Sequence, residues 1–350
     1  MTRNVSRRDF LKLGGVAVGA GLARPLAFLT ARQPAWKLLA PVGRVARRSL
    51  TVYAEPDSAS PKVRKLTRDE LFPLGEVVFA DRKRVEAPHE NRRWYRLEDG
   101  YINSASIQPI EAPHENEILG FIPTCGRLAE VTVPYTQTFY KTLRGTLRRM
   151  YRLYYRSVHW LTGTATSPEG KPWYRLTDEW LRVHLYAPAE AFRTIEPAEM
   201  APLHPEVPPE EKRIEVSLGK QLLTAFEGEI VVLQTRVSTG VRYMETPAGE
   251  FQVERKHPSK HMGDGGLTPE INAYELPGVP WTTFFHPAGI AFHGAYWHDN
   301  FGQPMSQGCV NMRPAEAAWL FRWCDPVFPA EIKERSQWKL VGKGTKVRVY

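Results

Sequence analysis

Cys309 and His293 are the residues through which this chain can do covalent chemistry, and they lie 16 positions apart. A thiol beside an imidazole is an activated nucleophile for acyl transfer. The imidazole takes the thiol proton and later returns it to the leaving group. His293 ends the β-like run Ile290-Ala291-Phe292, and Cys309 sits in Ser306-Gln307-Gly308-Cys309-Val310-Asn311. Ser306 and Gly308 suit a tight turn that exposes the sulfur. Pro314 at a first helical position, with Ala315-Glu316-Ala317-Ala318-Trp319-Leu320 behind it, predicts a helix of about ten residues. The positive end of that helix is expected to favour the thiolate. The backbone N–H groups of Gly308 and Cys309 are expected to converge on one spot and bind an oxyanion.

Those two residues need strands to carry them. Ile214, Val216 and Leu218 alternate with Arg213, Glu215 and Ser217, a period of two. Gly219-Lys220 turns the chain, Leu222 to Phe226 returns, Glu227-Gly228 turns again, and Glu229 to Ser238 forms a longer strand. Thr246-Pro247-Ala248-Gly249 precedes a further strand at Phe251-Gln252-Val253. A β-sandwich with one or two short helices is the natural outcome for residues 212–350.

The ordered set of His293-Gly294, Ser306-x-Gly308-Cys309-Val310-Asn311, Ser238-Thr239-Gly240, Thr246-Pro247-x-Gly249 and Gly344-Thr345-Lys346-Val347 resembles the L,D-transpeptidases, with their YkuD-type catalytic domain. The resemblance implies Cys309 as nucleophile, His293 as general base, Gly308 with Cys309 as the oxyanion backbone, and Ser306 and Asn311 as residues that shape the loop. It further implies Tyr274, Met262 and Trp297 on the substrate side, although loop packing explains these three equally well. His298, five positions after His293, is a candidate substrate-side residue but reads more readily as a hydrogen-bonded loop histidine. It implies transfer from a wall stem tetrapeptide to an amine, with no cofactor. Gln307 stands where the family usually has histidine. An amide does not titrate, so a proton role at that position is absent.

Other histidines read differently. His257 and His261 are four apart, but Pro258 argues against a metal-binding helix and no third ligand is evident, so no metal is expected. His286 reads as structural. The three cysteines, Cys125, Cys309 and Cys324, form neither a CxxC motif nor an even framework, and Cys324 reads as a buried small hydrophobe.

The N-terminus carries Ser6-Arg7-Arg8-Asp9-Phe10-Leu11-Lys12, then a Gly/Ala-rich apolar stretch to about Ala23. This resembles a twin-arginine export signal over residues 1–35, with a cell-envelope destination. The stretch is short for a membrane span. Two following segments look alike: Trp94-Tyr95-Arg96-Leu97 and Trp173-Tyr174-Arg175-Leu176 are 79 residues apart. A duplicated module is expected. The short runs between turn residues read as small β-barrels. They resemble bacterial SH3-like modules over residues 40–112 and 125–198, which bind wall material or act as spacers. Dense proline across 199–211 predicts an extended linker.

The 350 residues suffice for two or three domains, and the fold class is mainly β. A net charge of +9 and a pI near 9.4 suit an anionic partner. Peptidoglycan stem peptides and an anionic cell-wall polymer are the expected partners, and the chain is expected to act as a monomer. A nucleic-acid role lacks zinc spacing and a helix-turn-helix pattern. In a wall endopeptidase of the NlpC/P60 type the cysteine precedes the histidine, and here the histidine comes first. A carboxypeptidase acting from the same Cys/His pair, and a wall-binding protein weakened by Gln307, remain open.

Overall fold

Short apolar runs between Gly, Pro, Asp and Ser make a mainly β chain in this computed structural model, which describes residues 41–81, 91–111, 115–266 and 268–350. The export signal read at residues 1–35 lies outside the described residues. No described helix is long and apolar enough to cross a membrane.

The first module holds β1 (Val42–Val45), β2 (Ser49–Tyr53), β3 (Lys62–Thr67), β4 (Leu71–Pro73), β5 (Val77–Phe79), β6 (Arg93–Leu97), β7 (Gly100–Asn103), a 3-10 turn (Ser104–Ser106) and β8 (Ile107–Ile110). The second holds β9 (Arg127–Val131), β10 (Tyr135–Lys141), β11 (Leu147–Tyr154), β12 (Val158–Thr166), β13 (Pro172–Asp178), β14 (Val183–Pro188), a 3-10 turn (Ala189–Ala191) and β15 (Phe192–Thr194). The second sheet runs β11-β10-β14-β13-β12-β9-β15, and the first runs β3-β2-β7-β6-β5 and β4-β1-β8. Joining β4 to β5 makes the two orders identical. The break falls at Gly75, where a Cβ would stand 2.3 Å from the Arg96 carbonyl. In the second module the corresponding strand, β12, stays whole and shifts register between Leu161 and Gly163. The Trp-Tyr-Arg-Leu blocks therefore mark equivalent strands, β6 and β13.

The expected barrels are not closed by strand pairing; each order is an open sheet with two edges. Charge keeps one edge of each open, because β3 exposes Lys62, Arg64 and Lys65, and β11 exposes Arg148 and Arg149. Val45, Val52, Ile102 and Ile107 fill the first core, and Ala129, Leu161, Tyr174 and Phe192 the second.

The Pro-rich segment is not a free extended linker. It opens as α1 (Pro197–Met200), and Met200 and Leu203, three apart, pack on the C-terminal core. Arg322 Nε donates to the Ala201 carbonyl at 2.8 Å, and Leu203 N–H donates to the Arg322 carbonyl. Proline sets the backbone here, and the two apolar side chains decide where it lies.

The C-terminal domain has β16 (Lys212–Ser217), β17 (Leu222–Glu227), β18 (Ile230–Arg236), β19 (Gly249–Gln252), β20 (Arg255–Gly263), β21 (Glu275–His286), β22 (Ile290–Gly294), β23 (Val310–Met312), α2 (Pro314–Trp323), β24 (Leu340–Val341) and β25 (Lys346–Val349). Two sheets form, β18-β17-β16-β25-β19 and β23-β22-β21-β20-β24. Ile214, Val216, Leu223 and Ala225 from the first share a core with Phe292, Val310 and Met312 from the second and with Ala317, Leu320 and Phe321 of α2. Each large apolar side chain fully buried there contributes about 1.5–3 kcal/mol. Helix α2 starts at its proline and spans ten residues, as its sequence predicts.

Candidate active site

His293 and Cys309 meet through a parallel ladder. Strands β22 and β23 pair Phe292 with Val310, His293 with Asn311 and Gly294 with Met312. Phe292, Val310 and Met312 enter the core. Alternation therefore sends Ala291, His293, Cys309 and Asn311 to the opposite face. Cys309, one residue before β23, shares that face with His293 at a diagonal offset of about 8 Å between Cα atoms. No hydrogen bond joins the two side chains. Sγ lies 4.0 Å from the Gly289 carbonyl, and His293 Nδ1 lies 3.3 Å from the Gly294 carbonyl. The second contact places the ring proton on Nδ1 and leaves the lone pair on Nε2.

Both groups rest uncharged. His293 is 2% exposed, and burial lowers its pKa to about 4, with the Gly294 carbonyl opposing. Cys309 is half-buried. Burial pushes its thiol above the ordinary value, and the Ala291 backbone N–H works the other way. A thiolate favoured by the α2 dipole is thus not what forms. Strand β23 separates the sulfur from Pro314, and the dipole acts only within the first turn.

The turn before the sulfur is closed by hydroxyls. Ser306 Oγ donates to the Cys309 carbonyl at 2.5 Å and accepts the Gly308 N–H at 3.1 Å. Thr246 Oγ1 donates to the Gly308 carbonyl at 2.7 Å and accepts the Gly240 N–H at 3.0 Å. Gly308 has φ +112°, a backbone state that favours glycine. Its N–H is consumed inside the turn, which corrects the expected pair of oxyanion donors. The Cys309 N–H makes no backbone or side-chain hydrogen bond among the described residues.

Asn311 stands beside His293 in register and its amide meets His298 Nε2 at 2.9 Å. His298 Nδ1 accepts the Asn300 N–H at 3.2 Å. Its proton therefore sits on Nε2, and the amide oxygen is the fitting partner. His298 is 2% exposed, and burial holds its pKa at about 3. It meets Asn311 rather than Cys309, with both ring nitrogens engaged. Asp299, next in line, is fixed from the first module. Tyr95 Oη donates to Asp299 Oδ2 at 2.6 Å, Arg93 pairs with it at 2.5 Å, and Ser104 Oγ donates to its carbonyl at 3.0 Å.

The other residues expected on the substrate side are more exposed than His298. Trp297 is half-buried against the His293 ring, with centroids 5.8 Å apart. Met262 is half-buried opposite Leu276 in the β20–β21 hairpin. Tyr274, at the far end of that hairpin, is 48% exposed. Burial raises its pKa, and so does Cys309, which puts the phenol within electrostatic reach of the sulfur. Gln307 is exposed.

The loop after Gly240 escaped the sequence reading. Val241 N–H donates to the Ser306 carbonyl at 2.9 Å, and the Met244 carbonyl stands 3.8 Å from where a Cβ on Gly308 would sit. Tyr243 and Met244 are exposed, and Tyr243 holds φ +73°, costly for a bulky residue. The available signal was Val241, Tyr243 and Met244 between Gly240 and Pro247, where a plain turn needs no apolar residue.

His257 and His261 lie on β20, not on a helix. The His261 ring bridges Asp178 at Nδ1 (2.5 Å) and Glu275 at Nε2 (2.7 Å), so its two nitrogens face away from any shared centre. Among the described residues no three His, Cys, Asp or Glu side chains are placed to hold a metal ion.

Known proteins offer a likeness to the C-terminal domain. Residues 211–349 match the family model of the L,D-transpeptidase catalytic domain (YkuD). Similar solved structures include an L,D-transpeptidase of Enterococcus faecium carrying a cysteine-to-serine change, 26% identical over 40% of this chain and 50% of that one, with TM-score 0.31. The isolated catalytic domain of the E. faecium enzyme is 27% identical over 40% of this chain and 98% of its own, with TM-score 0.30. An L,D-transpeptidase of Xylanimonas cellulosilytica is 27% identical over 40% of this chain and 60% of that one, with TM-score 0.28. The chain thus spans about half the length of the first E. faecium protein. No curated protein matches. The L,D-transpeptidase match begins at the end of the Pro-rich segment and takes in both sheets and α2.

Proposed function

We propose that this protein is an L,D-transpeptidase that cross-links peptidoglycan through a thioester on Cys309, with His293 as base. The observation that carries the reading is the shared face of the β22–β23 ladder, which sets Cys309 and His293 on one side of the sheet, beside a Cys309 N–H with no hydrogen bond among the described residues. At rest the pair is neutral thiol and neutral imidazole. His293 Nε2 takes the Sγ proton as sulfur attacks the carbonyl of the third stem residue, and the Cys309 N–H meets the oxyanion. The C–N bond to the terminal D-alanine then breaks, and His293 returns the proton to that amine. An acceptor amine attacks the thioester and releases Cys309. Water in place of the amine turns the same site into a carboxypeptidase. The N-terminal modules are SH3-like in this reading, the chain is a monomer, and residues 1–35 direct export through the twin-arginine route to the cell envelope.

The deciding experiment is incubation of the purified chain with a carbapenem-class β-lactam. One covalent adduct on Cys309 is the expected mass change, absent in Cys309→Ala and slowed at least about a hundredfold in His293→Ala. An unmodified Cys309 in a folded protein ends the reading. Purified wall fragments then distinguish amine from water as acceptor by product mass.

A further inference from the structure

Two adjoining hollows of about 330 and 390 Å³ run along the seam between the second module and the C-terminal domain, sharing Glu179, Arg182 and Lys339. Arg182 enters from the β13–β14 turn, Arg255 and Lys260 from β20, and Arg335 and Lys339 from the segment leading to β24. None of these five cations forms an ion pair with a described residue. Aromatic rings hold three of them instead. Arg255 lies over Phe284 at 4.5 Å, Lys260 over Trp180 at 5.7 Å and Arg335 over Trp338 at 5.4 Å. A ring face orients a cation and leaves its charge uncancelled.

The charges converge. His257 lies among them, and its pKa falls to about 4 through burial first and then Lys260, Arg255 and Lys339. Its Nδ1 is buried without a partner. The carboxylate that faces Lys260 and Lys339 is Glu179, which burial lifts to about 6. Asp178, also at the wall, is turned to His261. Arg156 and Arg193, by contrast, sit beside Glu130.

We infer that this seam binds an oxyanion-bearing polymer, with phosphate or carboxylate groups spaced along a flexible chain. A single small anion fits one guanidinium; five cations along two joined hollows fit a succession of anions. Trp180, 44% exposed, supplies an apolar wall to the backbone between them. The site lies on both sides of the seam, so occupancy ties the second module to β20. It goes beyond acyl transfer and requires no reaction at Cys309.

The test titrates the full chain with labelled polyphosphate and, separately, labelled poly-L-glutamate at one fixed ionic strength, read by fluorescence anisotropy. The seam variant is Arg182→Glu with Lys339→Glu, both exposed positions. The control is Arg144→Glu with Arg148→Glu, an equal charge change at the exposed β10–β11 hairpin. The seam variant is expected to lose about tenfold in affinity and the control less than about twofold. Binding to one polymer alone names the anion. Equal losses in the two variants, or binding of neither polymer, overturn the site. Thermal melting confirms that both variants are folded, and Arg182→Gln with Lys339→Gln repeats the loss without introducing new acids.

Discussion

The duplicated block Trp-Tyr-Arg-Leu-x-Asp reaches the C-terminal domain through a different residue in each copy. In the first module the tyrosine does it: Tyr95 Oη donates to Asp299, beside His298 and Asn300. The matching Tyr174 turns inward, its hydroxyl accepting the Leu119 N–H at 2.7 Å. In the second module the aspartate does it: Asp178 meets His261 of β20 and also accepts the Tyr151 hydroxyl. The matching Asp99 stays within its own module, paired with Arg64 at the surface. One inherited strand pair thus yields two clamps, one on the loop behind His293 and one on the hairpin that carries Tyr274. What a repeat is for is decided by which of its side chains finds a partner outside it.

The sharpest way to break this comparison is to remove the second clamp. Asp178→Ala leaves the His261 ring with Glu275 alone and frees the Tyr151 hydroxyl, and it is expected to cost about 3 kcal/mol in denaturant unfolding. Asp99→Ala, its counterpart, is expected to cost no more than about 0.5 kcal/mol, since exposed pairs contribute little. Comparable losses from the two would dissolve the distinction. Next in size is Tyr95→Phe, which leaves Arg93 on Asp299 but removes a buried hydrogen bond to a carboxylate, at about 2 kcal/mol. β-Lactam acylation of Cys309 is expected to slow in the same protein, because the loop holding His298, the partner of Asn311, loosens; an unchanged rate would detach that clamp from the site.

The smallest effect is a pH dependence confined to the second clamp. Burial opposes the charged His261 ring, but hydrogen bonds and charge from Asp178 and then Glu275 prevail and raise its pKa. The stability it contributes is full below the unfolded imidazole value of about 6.5 and is lost as pH rises through the folded one. Burial also opposes ionised Asp178, and His261 and Tyr151 prevail and lower its pKa. Its contribution is present above the unfolded carboxyl value of about 3.9 and is lost as pH falls through the folded one. Unfolding midpoints followed upward from about pH 6.5 should decline in the native chain and decline less in Asp178→Asn. Identical curves would mean that His261 is neutral in place.

Local pattern carried much of this structure. Period-two runs located Ile214–Val216 and the return at Leu222, and Pro314 announced α2. The shared face of His293 and Cys309 was legible because residue type and order travel together in a short string. Partnerships across long separations left no such trace. Tyr95 and Asp299 are 204 residues apart, and His261 and Asp178 are 83 apart. Nothing in a Trp-Tyr-Arg-Leu string says which member will face outward. The thiol's state also escaped, because a three-residue strand between Cys309 and α2 is too short to read and long enough to remove the dipole. The Pro-rich segment misled for a related reason: proline dictates backbone angles, while Met200 and Leu203 dictate attachment.

Burial that pushes the Cys309 thiol pKa up has a consequence for oxidation. Peroxide and disulfide attack run through the thiolate. A sulfur kept as thiol is slow prey in oxidising surroundings, and neither Cys125 nor Cys324 is bonded to it. In the proposed reaction storage and turnover would thereby be separated: the sulfur would wait as thiol and become a nucleophile only when an acyl donor arrives and the neighbouring ring takes its proton.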